Sequence, residues 1–387
     1  MKKYIKSKSL CPLPFSGLYI GPNGQIRCCS ISRTNLGNIH DDPIESIVQG
    51  ETVKKIRREM LEGKFPENCT DCYTKESSHK NINLHNISNR LYHIGKLKEA
   101  PFHLYKDENN FELLQLDARW RNTCNGACVY CGPKLSSRWA VELDKKHRIE
   151  KPVLTNNLDY VMGNIKKLKM LYLCGGEPFL IKENLALLET ISREKRDLDI
   201  RINTNLSEID NPMFDVIKTL PNVHWILSAE AMGSEFEYIR YPLKWSTFIE
   251  NLEVIKGLPH RLSLNMAWNI LNAHGIFEFI DFMIGKGIHP NSFVLNYVDG
   301  PDIYDVRNLP EEDLQNIKDT AHEKLTRLSD PFMLKYCYES IISHCNKSRM
   351  NKLVELKKEL ATLDNRRNID SKEIFPSLHK LLERTAQ

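Results

Sequence analysis

The chain has 387 residues, 41% of them apolar, and a formal net charge of +4. That length suits one large domain with smaller additions, and no run of about 18 apolar residues marks a membrane-spanning helix. The near-balanced charge gives no indication of a nucleic-acid partner, and the basic start MKKYIKSKSL lacks a following apolar signal core, so a cytoplasmic protein is expected.

In chain order, GLYIGPNGQIRCC (17–29) reads as two short strands around Pro22-Asn23-Gly24, a hairpin signal. A helix is expected from about Pro43 to Gly63, and PENCTDC (66–72) then reads as a tight loop. Residues 1–66 carry 11 Lys and Arg against 6 Asp and Glu; this reads first as a solvated basic surface and second as a face for an anionic substrate. Residues 79–110, including NINLHN, read as a polar linker with one helix. From Phe111 strands alternate with helices: FELLQLDARW, KKLKMLYLCGGEP (166–178), DLDIRINTNLS (197–207), NVHWILSAEAMG (222–233), RLSLNMAWNILN (261–272) and HPNSFVLNYVDGP (289–301). Six such βα units predict an α/β fold with a parallel sheet, a partial (β/α)6 TIM-like barrel, with chemistry at the C-terminal strand ends. The expected organisation is a small cysteine-rich lobe over 1–78, a linker over 79–110, the barrel over 111–305 and a helical C-terminal region over 306–387.

Eleven cysteines bear on the chemistry. In a reducing compartment, clustered cysteines read first as metal or redox sites. TCNGACVYCGP places Cys124, Cys128 and Cys131 in the loop after the first barrel strand. Thiolates suit zinc or iron–sulfur clusters. Structural zinc prefers a closed four-ligand shell, so zinc here needs His147 or a distant residue. A four-iron cluster on three cysteines instead leaves one iron open to a small-molecule ligand. Gly175-Gly176-Glu177-Pro178 ends the second strand; two glycines admit a ligand close to the backbone, and a carboxylate accepts from an ammonium group. Cys174 reads as a small buried apolar residue. Cys337 and Cys345 read as structural.

Cys-x3-Cys-x2-Cys after the first strand of a βα barrel, followed by GGEP one unit later, resembles the radical S-adenosylmethionine (SAM) enzymes. The resemblance implies a [4Fe–4S] cluster on Cys124, Cys128 and Cys131 whose open iron is chelated by SAM. It also implies Tyr130 near the adenine and Gly175, Gly176, Glu177 and Pro178 around the SAM amino group. Thr204 and Asn205 then line the pocket, Ser228 and Glu230 meet the ribose, Arg240 meets the SAM carboxylate, Asn269 reaches the site, and the backbone up to Val298 contacts adenine. Each of these softer assignments competes with a capping or surface role.

Cys11-x12-Gly24-x4-Cys29 with Cys69-x2-Cys72 can close a cluster or a zinc site, and Cys28 is a rival to Cys29. The spacing is similar to the twitch and SPASM auxiliary-cluster domains, which usually follow the barrel, whereas here the cysteines precede it. CPLPF, LYIGPNGQIRCC, SSRWA, VLNYV and LDNRRNID…IFPSL are similar to a bacterial and phage subgroup of twitch-containing radical SAM proteins. The resemblance implies an auxiliary [4Fe–4S] cluster that relays electrons or serves structure, and a one-electron reductant such as flavodoxin or ferredoxin. A peptide or protein is the first expectation for the substrate. A nucleotide, a sugar or a modified DNA base stands beside it, since no residue selects among them. A SAM-binding sensor, a methyltransferase and a non-enzymatic zinc protein are the rival classes.

Overall fold

The computed structural model describes residues 8–78, 88–97, 100–143, 154–194, 197–329 and 332–384. The NINLHN stretch (81–86) and His147 lie outside the described residues, as does part of the expected linker. The chain divides into two compact units. The first comprises Met1–Thr123, Lys146–Asn203 and Asp210–Val223; the second comprises Cys124–Lys145, Thr204–Ile209 and His224–Gln387.

In the first unit, β1 (Gly17–Ile20) and β2 (Gln25–Arg27) pair antiparallel as the hairpin signal predicts. Gly24 has φ +79°, the left-handed geometry that this turn demands. β3 (Gly37–Asn38) pairs antiparallel with β2. On its other side β1 runs parallel to β4 (Gln115–Ala118), with Tyr19 opposite Asp117. Parallel pairing then continues through β5 (Met170–Leu173) to β6 (Asp199–Thr204). The cysteine-bearing hairpin therefore extends the sheet begun by the barrel strands. The physical reason is burial: all four residues of β1 are buried, which a two-stranded hairpin cannot achieve alone.

The helix expected over 43–63 is two helices, Ile44–Val48 and Glu51–Leu61, broken at Gly50. Arg57, fully buried, ties the second to its surroundings. Its Nε donates to Pro14 O (2.7 Å), Nη1 to Glu108 O (3.0 Å) and Nη2 to Val48 O (2.8 Å). PENCTDC is a helical turn, Glu67–Cys69, running into helix Thr70–Ser78. Helix Asn89–Lys96 occupies part of the expected linker, with Ser88 Oγ capping Leu91 N.

The second unit carries β7 (Val223–Ser228), β8 (Arg261–Trp268) and β9 (Phe293–Tyr297), parallel in sequence order. Helices Trp245–Lys256 and Ile276–Gly285 make the crossovers. The C-terminal region is helical as expected: Glu311–Thr326, Phe332–Cys345, Leu353–Arg367 and Pro376–Arg384. Asn368, at φ +53°, ends the third of these in the left-handed cap. Cys337 and Cys345 are buried in helix Phe332–Cys345, and Cys337 Sγ lies 3.6 Å from Phe293 O. Strands joined through helices make this the α/β class with a parallel sheet that a partial (β/α)6 barrel requires. Among the described residues no helix is long and apolar enough to cross a membrane.

Candidate functional site

Within the first unit the chain assembles four thiols. Cys11 precedes helix Leu13–Ser16, Cys29 follows β2, Cys69 ends the helical turn and Cys72 sits one turn later. Burial raises Cys11 well above the ordinary thiol range, and the nearby Cys29, Cys69 and Cys72 add to that. Cys69 is pushed up to about 12, first by burial and then by Cys29 and Cys72. Cys72 is raised by burial and again by Cys29. Each of the other three thiols feels Cys29. Cys28 instead acts on Cys29 and on the buried guanidinium of Arg57. The structure thus groups Cys29, and not Cys28, with the rest.

Four crowded thiols, Cys11 and Cys72 buried and Cys29 and Cys69 partly buried, resist ionisation unless a cationic centre sits among them, and metal binding deprotonates a thiol outright. No group of three or more His, Cys, Asp or Glu among the described residues is arranged to hold a single metal ion. Four thiolates are a donor set that zinc or an iron–sulfur cluster accepts. Sequence reasoning missed what steadies it. Arg90 pairs with Glu76 on the Cys72 helix and donates to Leu10 O (2.9 Å), beside Cys11. Tyr73 Oη donates to Ser9 O (2.6 Å).

The same unit holds the glycine loop after β5. Gly175 and Gly176 have φ of +81° and +55°. A Cβ on Gly176 would stand 2.8 Å from the Thr123 carbonyl carbon, and one on Gly175 would stand 2.6 Å from Arg119 Cβ. Glu177 N donates to Thr123 O (2.8 Å), and the Glu177 side chain is 1% exposed and accepts from Phe179 N (3.4 Å). The loop is therefore seated on Thr123, whose next neighbour in the chain is Cys124.

In the second unit the three-cysteine loop is held by a set of backbone anchors. Ser136 Oγ donates to Gly126 O (2.6 Å), Cys124 N donates to Ser137 Oγ (3.1 Å), and Trp139 Nε1 donates to Cys128 O (2.8 Å). Val129 N donates to Ile239 O (2.8 Å). Arg367, from the C-terminal region, donates Nη2 to Ala127 O (2.8 Å) and Nε to Glu142 (3.0 Å). Its guanidinium lies between the rings of Trp139 and Tyr241, at 5.0 and 4.7 Å. The Cys131 thiol donates to Cys128; that bond, with help from the nearby Arg240, holds Cys128 below the ordinary thiol range, and the same bond together with burial drives Cys131 above it, against the pull of Arg240.

Tyr130, Glu230 and Arg240 come together in this unit. Arg240 grips both oxygens of the fully buried Glu230 (Nε to Oε1, 3.0 Å), and Tyr130 Oη donates to Oε1 at 3.0 Å. Glu230 and Arg240, expected to meet different groups of SAM, close on each other because two opposite buried charges require a partner. Asn205 does more than line a pocket: its Nδ2 donates to Asn125 Oδ1 (3.0 Å), inside the cysteine loop, and its Oδ1 accepts from Ser207 N (2.9 Å). Thr204 Oγ1 accepts from Leu206 N (2.9 Å). Asn269 is engaged locally, donating to Ala267 O (2.9 Å) and accepting from Leu271 N (2.9 Å) at the end of β8. Ser228 ends β7, opposite Asn265. Val298 is buried just beyond β9 and its N donates to Trp268 O (3.0 Å).

The family model described as Radical SAM superfamily matches residues 121–282. The one described as Iron-sulfur cluster-binding domain (SPASM) matches residues 11–73. The chain carries a radical SAM domain behind an iron–sulfur cluster-binding domain. A radical SAM domain implies a [4Fe–4S] cluster and SAM, and the SPASM domain implies auxiliary iron–sulfur chemistry. The chain is 25% identical over 165 residues to the GTP 3′,8-cyclase of Campylobacter lari, a stretch covering 41% of this chain and 48% of that protein. It thus spans about half the length of the curated relative it matches. Among solved structures, anSMEcpe with bound AdoMet is 18% identical, with a TM-score of 0.41 over 55% of this chain and 61% of that one. Streptococcus suis SuiB bound to the precursor peptide SuiA is 14% identical, with a TM-score of 0.41 over 75% of this chain and 63% of that one.

Proposed function

We propose that this radical SAM protein cleaves SAM reductively and abstracts a hydrogen atom from its substrate. Cys124, Cys128 and Cys131 hold the [4Fe–4S] cluster. Gly175, Gly176 and Glu177 receive the SAM amino group, and Cys11, Cys29, Cys69 and Cys72 hold the auxiliary cluster. When bound, cluster and SAM supply a one-electron cleavage to methionine and a 5′-deoxyadenosyl radical, the species that takes the hydrogen. The chain's own residues bind and orient. Gly176 has no side chain, so the loop can sit on Thr123 O. Arg367, Ser136, Ser137, Trp139 and Asn205 fix the cysteine loop. Tyr130, Glu230 and Arg240 form a buried, neutralised ion pair with a phenol beside Cys128.

The observation that carries this reading is the seat of the GGE loop on Thr123, one residue before the first loop cysteine. A single loop carbonyl ties the two motifs to each other along the chain. The auxiliary shell uses four thiols, which supports an electron-relay or structural role over binding of substrate. The electron donor is a flavodoxin- or ferredoxin-type protein.

The test is anaerobic purification followed by iron and labile-sulfide analysis and incubation with SAM and dithionite. Release of 5′-deoxyadenosine, abolished in Cys124→Ala, is the expected result. Zinc without labile sulfide assigns the chain to a metal-binding class instead. A methylated product in place of 5′-deoxyadenosine assigns it to the methyltransferases, and intact SAM in a cluster-loaded protein assigns it to the sensors.

A further inference from the structure

One face of the first unit's sheet is unlike a packed barrel interior. Strand register places Arg27 opposite Tyr19, Tyr19 opposite Asp117, Asp117 opposite Tyr172 and Tyr172 opposite Arg201. One row of side chains thus crosses five strands on one face. The alternate positions Leu18, Leu116, Leu171 and Ile200 are at most 2% exposed and supply the apolar face. Closed barrels fill their interior with branched apolar side chains. Here cations and phenols stand in their place, and mid-sheet they keep access to solvent: the side chains of Arg119 and Arg201 are 24% and 19% exposed.

The row alternates planar cations with rings. The Arg27 guanidinium lies 5.6 Å from the Tyr19 ring, and that of Arg119 lies 4.9 Å from Tyr19 and 5.9 Å from Tyr172. Among the described residues carboxylates offset the row's positive charge only in part, and the Arg201 guanidinium also lies over the Tyr92 ring at 4.9 Å. Arg119 is held by Asp117 at 3.0 and 3.3 Å. Arg27 donates only to Ser32 O (3.1 Å) and Gln25 (2.6 Å), with no carboxylate among the described residues. Arg201 reaches Asp199 at 3.5 Å, and Lys96 draws on the same carboxylate at 3.4 Å. The Nε atoms of Arg27 and Arg201 are buried without a hydrogen-bond partner among the described residues; such groups are uncommon and call for a reason. The upper end of the row abuts the GGE loop, since Arg119 Cβ occupies the space beside Gly175.

Guanidinium forks pair with phosphate oxygens, and phenol rings offer faces to a planar ring. An extended peptide is recognised mainly through main-chain hydrogen bonds at a sheet edge, and this row lies across a sheet face. We infer that the face bearing Tyr19, Arg27, Asp117, Arg119, Tyr172 and Arg201 seats the substrate, and that the substrate is a phosphorylated small molecule with a planar ring, a nucleoside phosphate in chemical class. The inference rests on the SAM-cleaving reading above, because it places the molecule beside the loop assigned to SAM.

The experiment is calorimetric binding to the cluster-loaded full chain, using ATP, GTP, UTP and dTTP, each against its own nucleoside, and tripolyphosphate. At least one nucleotide binds 10-fold or more tightly than its nucleoside. Arg27→Gln and Arg201→Gln each weaken that nucleotide 10-fold or more, and Tyr172→Leu weakens the nucleotide more than tripolyphosphate. Circular dichroism checks folding. Arg27→Gln, on a hairpin strand and without a carboxylate partner among the described residues, decides the matter if Arg201→Gln does not fold. Nucleotides binding no better than nucleosides, or a folded Arg27→Gln that binds like wild type, overturns the inference. Iron, sulfide and 5′-deoxyadenosine are measured on the same preparation. Absence of these defeats the enzymatic reading, whereas their presence without nucleotide binding defeats the substrate class alone.

Discussion

Replacing Gly176 by alanine tests the seat of the GGE loop with one methyl group. At φ +55° a non-glycine residue costs roughly 1–2 kcal/mol. The new Cβ lies 2.8 Å from the Thr123 carbonyl carbon and 3.0 Å from that of Asn122. Both are backbone atoms, so no side-chain rotation relieves the overlap, and overpacking of this kind costs about 1–3 kcal/mol. Relief by lifting the loop breaks the bond from Glu177 N to Thr123 O, worth about 1 kcal/mol. The total is roughly 3–6 kcal/mol, against a stability of order 5–15 kcal/mol. Moving Thr123 also disturbs its neighbour Cys124. Gly176→Ala is therefore expected to lower the urea midpoint, reduce iron at the three-cysteine loop and weaken SAM binding together. Gly285→Ala is the control: a Cβ there meets nothing within 4 Å, at the end of a helix, where alanine gains about 0.5–1 kcal/mol. A Gly176→Ala protein with wild-type midpoint, iron content and SAM affinity refutes the reasoning.

Three further outcomes follow from the same geometry. Cys29→Ser is expected to lose one cluster, about four irons per chain, while Cys28→Ser keeps it; equal iron loss in both would reject the assignment of Cys29. Arg367→Ala removes a buried cation paired with Glu142 and bonded to Ala127 O, so about 3–5 kcal/mol of stability and a share of the iron go with it; Arg367→Lys restores only part, since an ammonium lacks the fork, and full rescue by lysine in denaturation and iron assays would count against this role. His93 is 5% exposed, and burial, then Arg201 and Lys96, push its pKa from 6.5 to about 3. The unfolded chain then binds a proton that the folded chain refuses, so this contribution is complete above about pH 6.5 and is lost as pH falls toward 3, with a ceiling of roughly 5 kcal/mol. His93→Gln should flatten the slope of urea midpoint against pH between 7 and 4, and an unchanged slope would falsify the assignment.

The cysteines and GGE are legible in the sequence because their chemistry dictates residue type at fixed spacing. A thiolate shell tolerates no substitute, and a loop resting on a carbonyl at positive φ requires glycine. The parallel strands are legible too, since each carries apolar residues in a run or at alternate positions and ends in a polar motif. What escaped is set by contacts between distant segments. Nothing in LYI announces that β1 pairs with β4 across nearly a hundred residues. The four-residue strand looks like half of a small hairpin until its burial on both faces is seen. The long helix predicted over 43–63 failed at Gly50 because the buried positions Ile44, Ile47 and Val48 fall out of helical phase with Val53, Ile56, Arg57 and Met60, so one unbroken helix could not bury both sets.

Arg367 marks the limit most sharply. It lies in LDNRRNID, a stretch whose composition reads as a solvated helix end. Yet it is 6% exposed and bonds to Ala127, 240 residues earlier. The adjacent Arg366 does reach Glu142, but at 3.5 Å and from a partly exposed side chain, so residue type alone could not choose between them. Helical phase and the terminus at Asn368 choose: the last turn of helix Leu353–Arg367 aims one arginine inward and its neighbour along the surface. The tail thereby becomes part of the support of the cysteine loop. A substitution that shifts the helix end, such as Asn368→Val in the left-handed cap, is expected to reproduce in milder form the iron loss of Arg367→Ala, because a β-branched residue resists positive φ. Asn368→Gly, which accepts that geometry, is expected to leave the loop intact. Equal iron retention in the valine and glycine variants would detach the cap from the loop and leave Arg367 acting alone.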